Sequence, residues 1–224
     1  LHVTDRAIFV EGKEIMRLTA LSTHPGLAGT SRLQVLSHEV QWSDTAAMLI
    51  LLGAGVGAAL SSVFLDMSLR MPGHAILRAV FPMALGLAIA PRRFGGMVMG
   101  TGAIGTVLVI KAGGLGAIGV GALTSLAVTG PLLDLALWHA RRGWRLYIAF
   151  ALAGMGSNLA AFAVRGGAKF FGLTYVTGKP LAAWWMYASF SYVVCGLLAG
   201  LISATIWFKL SSGNSDAERA ETSS

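Results

Sequence analysis

The chain has 224 residues, of which 55% are hydrophobic and 12% charged, with a mean hydropathy of +0.69; an ordinary soluble domain carries roughly 25% charged residues. This composition excludes a water-soluble enzyme and places the chain among integral membrane proteins. The formal charge of +7 does not point to nucleic acid, because the basic residues form short clusters beside apolar runs, as at Arg92-Arg93 and Arg141-Arg142, where membrane orientation accounts for them.

Residues 1–43 read as a polar N-terminal extension. Asp5, Arg6, Glu11, Lys13, Glu14 and Arg17 are scattered among apolar residues, and Pro25-Gly26 and Gly29-Thr30-Ser31 interrupt any long helix. The stretch lacks the continuous apolar core of a secretory signal and is expected to be retained. A short hairpin, an interfacial segment and a disordered stretch are all compatible with it.

Residues 44–209 read as an all-α transmembrane domain of about six helices. Spanning a hydrocarbon core of about 30 Å takes about 20 mostly apolar residues. The spans are expected at 44–65, 73–90, 94–110, 114–138, 144–164 and 181–208, with a soft boundary around Lys111. No strand alternation competes with them. Residues 165–180 then form the longest loop, and residues 210–224, rich in Ser, Asp and Glu, form a solvated tail.

Lys and Arg collect beside the extension, the second and fourth loops and the tail. Both termini are therefore expected in the cytoplasm, with the chain multi-pass in the cell (inner) membrane. Trp42, Trp138, Trp144, Trp184, Trp185 and Trp207 lie close to helix ends, as interfacial indoles should.

Few polar residues fall inside the spans. Arg78 sits about two turns into the second helix, where a charge is costly and normally faces a cavity or a partner. It lies four residues before Pro82, which cannot donate to the carbonyl of residue 78 and so leaves an acceptor exposed beside the guanidinium. His74 is one turn earlier on the same face. These features suit the holding of an anionic or polar solute, and equally a structural pair or snorkelling to the interface.

Asp134, just after Pro131, lies near the opposite end, about 15 Å from the depth of Arg78; Arg93 or Arg141 is its expected neighbour. Asn158 in the fifth helix needs hydrogen-bond partners, which another helix or a solute would supply. Tyr175 in the long loop and Trp185 beyond it suit a lid that stacks on a flat ring, although an interfacial belt explains the tryptophans too.

Gly53-x-x-x-Gly57 and Ala54-x-x-x-Ala58 put small residues along the first helix, for internal packing or for a partner helix. The same holds for Gly96-x-x-x-Gly100 and Gly196-x-x-x-Gly200. The single cysteine, Cys195, allows no intramolecular disulfide and no cysteine-based zinc site. No metal site, cofactor motif or enzyme constellation is present in the sequence: HExxH, GxSxG, a Walker lysine and paired intramembrane carboxylates are all missing.

Met71 to Gly100, with Pro72-Gly73-His74, Arg78, Pro82 and Pro91-Arg92-Arg93, together with Ala54-x-x-x-Ala58 and the run Gly156 to Gly166, resembles a substrate-binding S component of an energy-coupling factor transporter over about residues 44 to 209. The resemblance implies a six-helix subunit that captures a vitamin, a vitamin precursor or a metal ion, gated by its first, third and fifth loops. It implies docking through Ala54 and Ala58 to a transmembrane coupling protein, which works with ATPase subunits. Arg78, Asn158 and Trp185 would then belong to the pocket. The charged extension departs from the compact family plan. The rival expectation is an accessory or scaffold subunit of a larger respiratory or photosynthetic complex, held through its glycine faces and surrounded by membrane lipid.

Overall fold

The computed structural model describes residues 23, 24, 27, 30–33, 43–65, 72–115, 118–138, 140, 143–172 and 181–210. They form six helices and no strand: α1 (Asp44–Phe64), α2 (Ile76–Ile89), α3 (Gly95–Ala112), α4 (Val120–Trp138), α5 (Trp144–Phe170) and α6 (Leu181–Trp207). Among the described residues, five helices are long and apolar enough to cross a membrane, and α2 is shorter. Their outer faces carry exposed Leu49, Val109, Leu135, Met186 and Phe190, a continuous apolar coat that suits lipid and would drive aggregation in water. The protein is an all-α, polytopic membrane bundle.

Although α2 has only 14 residues, it returns the chain across the full depth of α1. Near its start, the Arg78 side chain donates to the carbonyl of Leu65, just past the end of α1. Just past its end, Arg92 pairs at 3.0 Å with Asp44, the first residue of α1. The helices close a ring in the order α1, α3, α4, α5, α6, α2, with α2 packed on both α6 and α1.

Glycine sets how closely that ring is drawn. A methyl group added at Gly55 would lie 2.1 Å from the carbonyl oxygen of Met99, one at Gly96 2.2 Å from that of Gly130, and one at Gly200 2.1 Å from that of Phe150. The α1–α3, α3–α4 and α5–α6 crossings are therefore backbone against backbone, the contact that dispersion rewards where lipid removes the hydrophobic drive.

The polar groups inside the bundle mostly tie helices together. Pro82 leaves the Arg78 carbonyl without its helical donor, and the Ser61 hydroxyl of α1 supplies the missing bond at 2.8 Å. Ser61→Ala should therefore cost about 1–2 kcal/mol, read as a lower midpoint in reversible unfolding, whereas Ser62→Ala, whose hydroxyl bonds only within α1, should change little. Between α4 and α5, Thr129 and Ser157 lie 2.6 Å apart and both reach the Ser125 carbonyl. Each hydroxyl has one proton, so one donates across the pair and the other to the carbonyl.

Asp134 departs from the sequence expectation. Its carboxylate accepts from the backbone amides of Gly96 at 2.8 Å and Met97 at 2.7 Å rather than pairing with Arg93; Arg141, the other expected neighbour, lies outside the described residues. The reason is local: α3 begins after Phe94, which is left-handed (φ 58°) and offers no side-chain cap. Its free amides carry the positive end of the helix dipole, and the Gly96–Gly130 contact brings α4 within reach of them.

Helix α5 also runs past its expected end at residue 164, through Arg165-Gly166-Gly167 to Phe170. A methyl group added at Gly166 would make only ordinary contact with the Trp185 ring, at 3.7 Å, and the helix runs through this glycine without a break. The loop expected at 165–180 is shortened accordingly.

The described part of the N-terminal extension packs on the bundle. Thr23 bridges to Arg92 and Ser31 to Phe208, and Leu27 is fully buried. The Arg32 amide donates to the Trp207 carbonyl at 2.9 Å, and the Arg32 Nε donates to the Phe208 carbonyl at 3.2 Å. An arginine thus sits at the negative, C-terminal end of α6, where a cation is favoured. This segment and the end of α6 share one end of the bundle.

Candidate functional site

The opposite end holds the turn before α2, the start of α6 and the second half of α5. Gly73 occupies the left-handed region (φ 88°), open to glycine at no steric cost, and an added methyl group would meet Asn158 Nδ2 at 2.9 Å and Tyr192 Cα at 3.0 Å. Asn158, almost fully buried, donates through Nδ2 to the carbonyls of Gly73 at 3.1 Å and Tyr192 at 2.7 Å. Ser191 donates to the Pro72 carbonyl at 2.6 Å. Three elements are thus laced through the carbonyls of an irregular turn, which needs such donors inside a membrane.

An aromatic cluster continues outward from this junction. Phe162 lies between Trp185, with ring centroids 5.0 Å apart, and Tyr192, 5.2 Å apart. Trp185 is 48% exposed, so one side of its ring remains open while the other is held.

Arg78 is half-buried and turned toward α1. Its Nη1 donates to the Leu65 carbonyl, and its Nε is buried without a hydrogen-bond partner. Among the described residues it forms no ion pair. His74, half-buried, follows Gly73 directly in the turn before α2.

The structure therefore gathers Asn158 and Trp185 around α5 and α6, joins them to His74 through Gly73, and sets Arg78 one turn further along α2. Tyr175 lies outside the described residues. Gly73, Phe162 and Ser191 are members of the junction that the sequence reading does not single out; the Pro72-Gly73 pair, a turn signal, is the clue to the first.

The small residues of α1 divide between two faces. Ala58 is fully buried, and the Ala54 methyl group packs against Gly86 of α2, where an added methyl would lie 2.6 Å away. A partner helix cannot reach Ala58 in this arrangement. Gly53 and Gly57 point away from the bundle, and a methyl group on either would meet nothing within 4 Å.

This end of the bundle therefore carries a cation turned toward α1 and, across the Asn158 junction, a half-open aromatic ring. Among the described residues, no group of three or more His, Cys, Asp or Glu side chains is placed to hold a metal ion. No protein-family model matches the chain, and no curated protein and no solved structure matches it either.

Proposed function

We propose that the chain is a membrane-embedded solute-binding subunit that retains a small anionic or polar organic molecule beside Arg78 at the Asn158 end of the bundle, and hands it to an ATPase-driven module of the energy-coupling factor type. In this reading the chain hydrolyses nothing, and the Asn158 end faces outward across the inner membrane with both termini in the cytoplasm. The observation that carries the proposal is the guanidinium itself. A charged side chain within a span costs about 2.5–3.5 kcal/mol even on insertion-based scales, and here part of its hydrogen-bonding capacity is unspent. Trp185 supplies a stacking face for a flat ring.

The test is mass spectrometry of small molecules that co-purify with the full chain in mild detergent. Arg78→Ala should lower retention at least about tenfold, equivalent to about 1.4 kcal/mol, while the unfolding midpoint stays within a few degrees. Asp66 follows Leu65 directly in the sequence and lies outside the described residues, so Asp66→Asn belongs beside it. If both variants unfold the protein equally and no molecule is retained, Arg78 is half of a structural pair and the proposal fails.

The outward Gly53–Gly57 face favours a second reading, an accessory subunit that docks a partner helix closely. Gly53→Leu would then strip a co-purifying membrane protein without reducing solute retention.

A further inference from the structure

We infer that the described residues of the extension, 23, 24, 27 and 30–33, form a clasp across the end of the bundle opposite Arg78, released by protonation of His24. This inference is independent of the solute-binding reading.

The clasp touches three separate parts of the ring. At one side, the His24 amide donates to the Pro91 carbonyl at 2.7 Å and the His24 Nε2 donates to the Leu137 carbonyl at 2.9 Å, joining the α2–α3 connection to the end of α4. In the middle, Leu27 is buried and its amide donates to the His24 carbonyl at 3.1 Å. At the other side, the Thr30 carbonyl accepts from the Lys209 amide at 2.7 Å, and the Arg32 amide closes on Trp207. The segment therefore holds the C-terminal end of α6 to the α2–α3 connection by main-chain bonds and to the end of α4 through the His24 side chain, with one buried apolar anchor.

His24 is the titratable member of that contact and is 8% exposed. Among the described residues, the charged groups around it are Arg92, bridged to Thr23 and paired with Asp44 of α1; Arg93, near enough to act on its charge; and Asp134, one turn before Leu137 on α4 and committed to the amides of α3. Burial first, then the like charge of Arg93, holds the imidazole below its ordinary value, against the opposing bond to Leu137. The docked clasp thus prefers neutral His24. Docking is complete above the free imidazole value of about 6.5 and is lost as pH falls below it toward the lower docked value.

Hydrogen exchange on the full chain in lipid nanodiscs tests this, with protection corrected for the intrinsic pH dependence of exchange. From pH 7.5 to 5.5, the amides of His24, Leu27, Thr30, Arg32 and Lys209 should lose about tenfold in protection together, while the α5 interior does not change. His24→Gln keeps a donor for Leu137 without a titrating group and should abolish the pH dependence. A wild-type clasp whose protection is unchanged by pH, or a glutamine variant that still loses it, overturns the inference. If the glutamine variant is undocked at both pH values, Arg93→Gln decides: a smaller loss than wild type supports the clasp, and an equal loss overturns it.

Discussion

Gly130→Ala should destabilise the bundle by about 2–3 kcal/mol, the range of overpacking in a close-packed interior. The added methyl group would lie 2.1 Å from the Gly96 carbonyl oxygen and 2.8 Å from its carbon. No rotamer change relieves that contact, because both partners are backbone, so α3 and α4 must move apart and strain every contact along the seam. Alanine regains about 1 kcal/mol of helix propensity over glycine, and the loss named is net of that gain. Gly53→Ala and Gly105→Ala are the matched controls: their methyl groups meet nothing within 4 Å, so they should be neutral or slightly stabilising. Reversible unfolding in mixed micelles measures all three. Equal effects at Gly130 and Gly53 would show that the α3–α4 crossing is not drawn as closely as described.

Asp134→Ala should cost about 3 kcal/mol, at the upper end for hydrogen bonds to a charged group. It removes both acceptors from the first turn of α3 at once, and the Gly96 and Met97 amides have no other cap. Asp134→Asn should cost less, since its carbonyl still accepts one amide while its own NH2 group confronts the other. Exchange at the Met97 amide separates this account from an ion pair: alanine should abolish its protection, whereas Arg93→Gln should leave it intact.

The spans were legible because each is set by apolar length, a property that neighbours do not alter. The ends of α1 and α6 fall within a residue of expectation, since Ser43, Asp44 and Lys209 mark the interface by charge and capping. The partner of Asp134 was not legible. It depends on Phe94 adopting a left-handed conformation and on two glycines from different helices meeting, which are facts of three dimensions. The Gly53–Gly57 and Gly196–Gly200 pairs share one spacing, yet the first faces outward and the second is buried against α5. Spacing names a small-residue face without saying what lies opposite. The Asn158 junction was half legible: a buried amide announces that it needs partners, but those partners proved to be carbonyls of a turn and of α6. The packing of Leu27 and His24 was hidden because Pro25 and Gly26 look the same in a docked clasp and in a free tail.

Sidedness of labelling tests the six-pass threading most directly, because an even number of crossings must return the chain to its starting side. In a Cys195→Ala background, single cysteines at Thr23 and Lys209 report one end, and cysteines at Leu115 and Phe171 report the other; all four positions are exposed. With a membrane-impermeant maleimide on intact cells and on inverted vesicles, the first two should label from one side and the last two only from the opposite side. Labelling of Thr23 and Lys209 from opposite sides would contradict the bundle on which the Arg78 site and the clasp both depend.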